Sequence, residues 1–436
     1  MRVGVPKEML EGERRVGLVP EGVEKLRDRG IEVRVESGAG RDFYPDDAYA
    51  EAGAELVPDA EAVWRESELV AKVRPPTSEE VPRLGEGTIV VSFLQPAAQA
   101  ELVKQLADRG ATAVSMDAIP RIARAQSMDA LSSMSSVGGY KSVLIGANAL
   151  GRYLPMMTTA AGTLKASRVL VLGAGVAGLQ AVATANRMGA EVTAFDIRPE
   201  VKEQIESLGA TFLEQRREPA EEPARAQGAS RDEPEPRTGV GGAIDWLKDV
   251  FELGNGAAPA GEEDDGERSS DASDASKDED AGGGGTDGYA REQAEDKQAR
   301  DRDMIREHLR EVDLVVTTAL VPGKRAPVLL TTEMVEAMRP GSVVVDLAAE
   351  AGGNCELTRP GEVVEHEMVE VHGPSNLPSG LPIDSSRLYS RNVVNLLTHL
   401  VEGDELQLDF DDEITDAICV AHGGEVRSEA AREALA

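Results

Sequence analysis

The chain has 436 residues, 41% of them hydrophobic and only 3% aromatic, with 79 acidic against 46 basic side chains for a formal net charge of −33. That length is too great for one compact core and predicts two domains, and that charge repels phosphate backbones and so excludes nucleic acid as a partner. Two distant cysteines (Cys355, Cys419) and five scattered histidines (His308, His366, His372, His399, His422) exclude a disulfide framework and a clustered metal site, and fit a reducing cytoplasm.

From the N-terminus, apolar runs at Arg2–Val5, Glu32–Val35, Leu69–Val73, Thr88–Phe93 and Thr112–Ser115 read as strands. Helical patterns lie between them, among them Glu21–Arg29 closed by Gly30 and Ala97–Arg109 closed by Gly110. Alternation at this spacing predicts a parallel, doubly wound sheet. A helical stretch from Ser133 to Leu154 leads into a second unit, with strand Ser167–Leu172, loop Gly173–Gly178, a helix to Met188 and strand Glu191–Asp196.

Between Arg216 and Asp287 the composition turns to Pro, Glu, Asp, Ser and Gly. Such a segment buries too little apolar surface to offset its ordering entropy, so disorder is expected. An island within it puts Ile244, Leu247, Val250 and Phe251 on one helical face, as a transient helix or a docking segment. Order resumes near Tyr289 with a charged helix to Arg310, followed by strand Asp313–Thr317, helix Thr332–Met338 and strands Ser342–Asp346 and Glu367–His372. A last helix, Ser385–Leu400, is apolar along one side, and the tail Leu406–Val426 reads as hairpins around Asp411-Asp412 and His422-Gly423-Gly424.

The expected fold class is α/β, with two doubly wound Rossmann-like domains, a cleft between them and a disordered acidic insertion. Residues 1–131 with 381–436 form the N-terminal domain, including the returning helix and hairpin tail. Residues 132–380 form the nucleotide-binding domain, interrupted by the insertion at 216–287.

Gly173-Ala174-Gly175-Val176-Ala177-Gly178 is a GxGxxG that follows a strand and opens a helix, with Asp196 at the end of the next strand. In this context Gly173 permits the turn, Gly175 admits the pyrophosphate and Gly178 lets helix and strand pack closely. Asp196 accepts ribose hydroxyls and repels a 2′-phosphate, which favours NAD(H), while Arg198 close by is a group that could receive that phosphate. A second constellation, Arg121-Ile-Ala-Arg124-Ala-Gln126-Ser-Met-Asp129-Ala-Leu-Ser132, lies at the junction of the two units. Its dense polar groups could line an interdomain cleft or form the solvated start of a helix.

The run Arg121–Ser132 resembles the nicotinamide-site loop of the NAD(H)-binding components of proton-translocating transhydrogenases. The likeness extends through Gly173–Gly178, Asp196-Ile197-Arg198-Pro199, Thr317-Thr318-Ala319-Leu320, Val345–Glu350, Gly352–Cys355 and the closing helix. It implies that Arg121, Gln126, Asp129 and Ser132 handle the nicotinamide end. The cofactor-binding set it implies is Gly173, Gly175, Val176, Ala177, Gly178, Asp196, Ile197, Arg198, Ala319 and Leu320. Gly288-Tyr289 resembles the start of the mobile loop that closes over nucleotide through its tyrosine. Met134 and Ser135 depart from the glutamine and alanine usual in the family.

The resemblance further implies direct hydride transfer to NADP(H) on a partner polypeptide, since this chain carries one fingerprint. It also implies membrane subunits for proton translocation and a homodimer. The alternative is an alanine dehydrogenase-like oxidoreductase, which shares the N-terminal motif Arg2–Lys7 with Glu13-Arg14-Arg15. Oxidative deamination needs an acid/base beside the reacting carbon. That family's histidine and aspartate correspond to Gln95 and Glu350, and glutamine cannot shuttle a proton. No run approaches about 18 uninterrupted apolar residues, and Met1 leads directly into a strand pattern rather than a signal peptide. A cytoplasmic protein, peripheral on the cytoplasmic face of the membrane, is expected. The large excess of acid over base points to a halophilic source, where salt screens self-repulsion.

Overall fold

The computed structural model describes residues 1–40, 43–214, 299–320, 325–402 and 405–436. The expected insertion at 216–287, its island at Ile244–Phe251, and Gly288 and Tyr289 lie outside the described residues. Met1–Leu213 and Glu311–Ala436 form one compact unit, which holds both large sheets, and Glu214–Arg310 form another. In the second, the described part is helical over residues 299–309.

The first sheet has eight strands in the order Glu425–Val426, Cys419–His422, Thr112–Ser115, Ile89–Ser92, Leu69–Ala71, Arg2–Val5, Glu32–Glu36 and Glu55–Val57. The six strands up to residue 115 are parallel, and the two from the tail add antiparallel at the edge. Parallel strands buried on both faces need continuous apolar runs, which Leu69-Val70-Ala71 and Val90-Val91 supply with no exposure. One face packs on Tyr389, Val393, Leu396, Leu397 and Leu400 of the closing helix Pro382–Leu400, and the other on Trp64, Val103 and Leu106.

The second sheet has seven strands, ordered Thr211–Phe212, Glu191–Phe195, Arg168–Leu172, Leu314–Thr317, Val343–Asp346, Val369–His372 and Val363–His366. All pairs are parallel except the last. The long helix Ala130–Ala149 lies against it. A Cβ on Gly146 would fall 2.4 Å from Leu314 Cδ1 and one on Gly139 2.0 Å from the Ala177 carbonyl oxygen, so these glycines set how closely the helix seats.

The structure corrects several expectations. The stretch read as helix to Leu154 ends at Ala149 and gives way to a hairpin, Met157–Thr159 with Gly162–Leu164. Asp411-Asp412 is not a hairpin turn. Asp412 caps the helix Glu413–Ile418, accepting from the Ile414 and Thr415 amides at 3.1 Å. The tail's hairpins are Val401–Glu402 with Glu405–Leu406 and Cys419–His422 with Glu425–Val426, and a final helix, Glu429–Leu435, follows.

Candidate nucleotide site

From strand Arg168–Leu172 the chain first builds outward to Thr211–Phe212, then returns to the other side at Leu314–Thr317. The direction of winding therefore reverses between these two central strands, and the crevice beyond their carboxyl ends is where open α/β sheets hold ligands. The fingerprint sits there, and each glycine has its own physical reason. Gly173 has φ of 101°, a conformation costly for side chains with a Cβ. A Cβ on Gly178 would lie 1.8 Å from the Gly173 carbonyl oxygen, whereas one on Gly175 would meet nothing within 4 Å. Packing does not require glycine at 175; the open approach suits a pyrophosphate.

Val176 and Ala177 begin the helix Val176–Arg187, whose N-terminus has no side-chain cap. Its first amides are thus available to an anion. The residues present fit a dinucleotide.

Asp196 follows strand Glu191–Phe195 and fixes the loop, its Oδ2 accepting from the Ala174 amide at 2.7 Å. Arg198 wraps back onto it, donating from its amide (2.9 Å) and Nε (3.0 Å) to Oδ1 and from Nη2 to Oδ2 at 3.2 Å. Burial pushes the carboxyl up, but the Arg198 and Ala174 hydrogen bonds prevail and hold it below the usual range. With Arg198 folded down, little acceptor capacity remains for a ribose; the exposed guanidinium must swing aside to free it. Ile197 is 71% exposed beside this pair.

Ala319 is held by residues that the sequence motifs leave without a role. Thr318 Oγ1 donates to the Gly173 carbonyl at 3.0 Å, and Asn354 brackets Ala319, accepting from its amide at 3.0 Å and donating to its carbonyl at 2.9 Å. Asn354 is in turn fixed by fully buried Asp346, which also accepts from Thr317, Ala348, Cys355 and Thr358. A buried carboxylate is retained only when its lone pairs are filled, so Asp346 and Asn354 form the floor of this side. Leu320 is half exposed at its edge.

Of the Arg121–Ser132 constellation, the structure brings Asp129 and Ser132 together. Asp129 caps Ala130–Ala149, with its Oδ1 accepting from the Ser132 amide at 2.8 Å and its Oδ2 from the Ser132 hydroxyl at 2.5 Å. Gln126 is half-buried and Arg121 exposed. The same helix carries Gly139 against Ala177, about 15 Å of helical rise from the Asp129 cap. One rigid element therefore connects this loop to the fingerprint.

Gln95 sits at φ 48° with its amide donating to Asp117 at 3.0 Å, and its side chain is exposed. Glu350 accepts from the Asn376 amide at 3.3 Å. Arg15 and Lys72 are buried and committed to carboxylates, Glu13 at 2.6 Å and Glu80 at 2.7 Å. Burial pushes the Glu13 carboxyl up, but its bonds from Arg15 and Ser379 outweigh that and hold it well below the usual range. The Cys355 and Cys419 thiols are pushed up by burial to about 11, which removes them as nucleophiles.

Residues 4–138 match the family described as alanine dehydrogenase/PNT, N-terminal domain, and residues 142–429 its C-terminal domain. NAD(P) transhydrogenase subunit alpha of Haemophilus influenzae is 40% identical over 429 residues, covering 98% of this chain and 71% of that one. An NAD(P) transhydrogenase subunit alpha polypeptide of Rhodospirillum rubrum is 39% identical over 434 residues, covering 98% and 97%. Among solved structures, transhydrogenase from Sinorhizobium meliloti superposes with a TM-score of 0.75 at 35% identity, covering 98% of this chain and 100% of that one.

Proposed function

The chain belongs to the alanine dehydrogenase/PNT family, and from that premise we propose that it is the NAD(H)-binding subunit of a proton-translocating NAD(P) transhydrogenase. The observation that carries this reading over amino-acid oxidation is Gln95. It stands where the resemblance puts the acid/base histidine of the alanine dehydrogenases, and it can neither take nor give a proton.

Hydride transfer between two nicotinamides needs no such group. NADH, when bound, supplies the hydride, and NADP⁺ on a partner subunit receives it. The work of this chain is then orientation at near-attack distance, roughly 3–3.5 Å. Arg121, Gln126, Asp129 and Ser132 orient the nicotinamide end. Gly173, Gly175, Val176, Ala177 and Gly178 cradle the pyrophosphate, and Asp196 takes the ribose. Among the described residues no helix is long and apolar enough to cross a membrane. Proton translocation is assigned to membrane subunits on whose cytoplasmic face this one docks.

A homodimer is part of the proposal, and charge supports it. From Ala130 to Ala190 there is no acidic residue, in a chain where roughly one residue in five or six is acidic. This stretch includes the hairpin Met157–Thr159 and Gly162–Leu164, exposed throughout, with Tyr153, Met156 and Leu164 each more than half exposed. A two-stranded hairpin is marginal alone, and a face free of acid repels a second acidic copy least. Met156→Glu with Leu164→Glu should give a monomer by sedimentation; a persistent dimer would place the contact elsewhere.

The test of function is NADH titration by fluorescence in molar KCl, with NADPH and L-alanine turnover alongside. Tight NADH binding, weak NADPH binding and no alanine oxidation are expected. Alanine-dependent NADH production would refute the transhydrogenase reading.

A further inference from the structure

The loop carrying Arg121, Gln126 and Asp129 is a 3₁₀ turn over Ala123–Met128, a conformation with poor hydrogen-bond geometry that does not hold itself rigid. Four of its residues, Arg124, Ala125, Ser127 and Met128, are tied down. Ala125 and Met128 are buried in the first-sheet core. The Ser127 carbonyl accepts two side-chain amides from the closing helix, Asn392 Nδ2 at 3.0 Å and Asn395 Nδ2 at 2.9 Å. The Arg124 guanidinium pairs with Asp412 Oδ1.

Asp412 is itself immobilised. Its Oδ2 accepts from the Ile414 and Thr415 amides at 3.1 Å and the Thr415 hydroxyl at 3.3 Å, with His399 Nε2 at 3.0 Å. Burial pushes this carboxyl up, but the Thr415 amide, Arg124 and His399 outweigh it and hold it at about 2, so it stays an anion at any working pH.

We infer that the C-terminal segment clamps the nicotinamide loop, with Asn392, Asn395 and Asp412 as positioning residues acting through Ser127 and Arg124. The inference rests on the reading that Arg121, Gln126 and Asp129 hold a nicotinamide. The closing helix is seated on the first sheet by its apolar face of Tyr389, Val393, Leu396, Leu397 and Leu400. The effect of the three positioning residues is on where the loop stands. Displacement of a reacting ring by about 1 Å can cost up to 10²-fold in rate, whereas the dinucleotide's other half is bound independently at the fingerprint. The two asparagine ties are neutral and persist in salt. The Arg124–Asp412 pair has an exposed cation and weakens as salt screens it.

The experiment uses the full chain with the NADP(H)-binding subunit of its complex, comparing wild type, Asn395→Ala, Arg124→Ala and Arg124→Lys. NADH affinity is read by fluorescence titration, ring immobilisation by anisotropy of bound NADH, and transfer by reduction of an NADP⁺ analogue with a distinct absorbance. We expect NADH affinity within about threefold of wild type in all variants. Transfer should be about tenfold slower and anisotropy lower for Asn395→Ala at every salt concentration, and for Arg124→Ala mainly in low salt, with Arg124→Lys restoring most of it. Unchanged transfer in both alanine variants would overturn the clamp, as would affinity and transfer falling together. Wild type that fails to bind NADH would sink the reading beneath it, a result visible in the first titration.

Discussion

Two glycines three positions apart should respond to the same substitution in opposite ways. Gly175→Ala places a methyl where no protein atom lies within 4 Å, at an ordinary φ of −77°. Stability should hold or rise by about 0.4–1 kcal/mol, the usual gain from restricting the unfolded chain. The methyl would occupy the path of the pyrophosphate, so NADH affinity should fall at least about tenfold, a loss of about 1.4 kcal/mol. Gly178→Ala places its methyl 1.8 Å from the Gly173 carbonyl oxygen. Backbone must move by more than an ångström, and overpacking of that kind costs about 1–3 kcal/mol. Thermal unfolding and NADH titration of both variants in molar KCl test the contrast. If Gly175→Ala binds NADH like wild type, or loses as much stability as Gly178→Ala, the assignment of the open space at Gly175 to a ligand is wrong.

Removing the guanidinium in Arg198→Ala frees the Asp196 lone pairs it occupies and deletes the cation nearest a 2′-phosphate. The preference for NADH over NADPH should widen about tenfold, and a narrowed preference would show that Arg198 guards against NADPH. Gln126→Asn should leave NADH affinity within a few-fold while slowing hydride transfer to the partner subunit at least about tenfold; equal losses would make Gln126 an affinity residue. Burial lifts the Glu8 carboxyl to about 7 against the pull of Lys72. The stability this proton contributes is present below about 4.5 and is lost as pH rises through about 7. Glu8→Gln should therefore unfold with wild type at pH 5 and above it at pH 8, and a gap that shrinks with rising pH would reverse the sign. With a net charge of −33, unfolding temperature should rise from dilute buffer to molar KCl; equal values would remove the case for a high-salt setting.

Strands buried on both faces were legible because their apolar runs have little alternative use. Arg2–Val5 and Thr112–Ser115 agree to the residue, and the central strands of the second sheet to within one. Short elements escaped notice. Glu55–Val57 is a three-residue edge strand with an exposed glutamate, and helices Asp46–Glu51 and Ala60–Glu66 are under two turns, too short for a periodicity to show. The turn before Val369–His372 uses Glu367 and Met368 at φ of 48° and 63°, where the usual Gly or Asn signal is missing. At Asp411-Asp412 the acidic pair reads as a turn, yet an aspartate at the start of Asp412-Glu413-Ile414-Thr415 is equally a helix cap.

The site divides along the same line. Gly173 and Gly178 are legible because each constraint is local, a backbone angle or a contact within five residues that suits glycine, whereas at Gly175 the open approach is what the motif marks. Arg121 to Ser132 was ambiguous on its residues alone; the structure makes Asp129 and Ser132 a helix start, and the proposal of a ligand there rests on the family likeness. What neither route could find are the ties that give the loop its place. Ser127 is held by Asn392 across 265 residues of sequence and Arg124 by Asp412 across 288. An asparagine on a helix is compatible with many neighbours, so its type carries no information about a partner so far along the chain. The roles of Asp346 and Asn354 are hidden for the same reason, since only the fold shows the Asn354 side chain spent on Ala319 and Asp346 accepting from the Asn354 amide. Sequence motifs mark where a ligand touches, and the residues that hold those contacts in register emerge only from the packed structure. Substitutions at Asn395 or Asn354 should therefore disturb function although no sequence motif gives either residue a role.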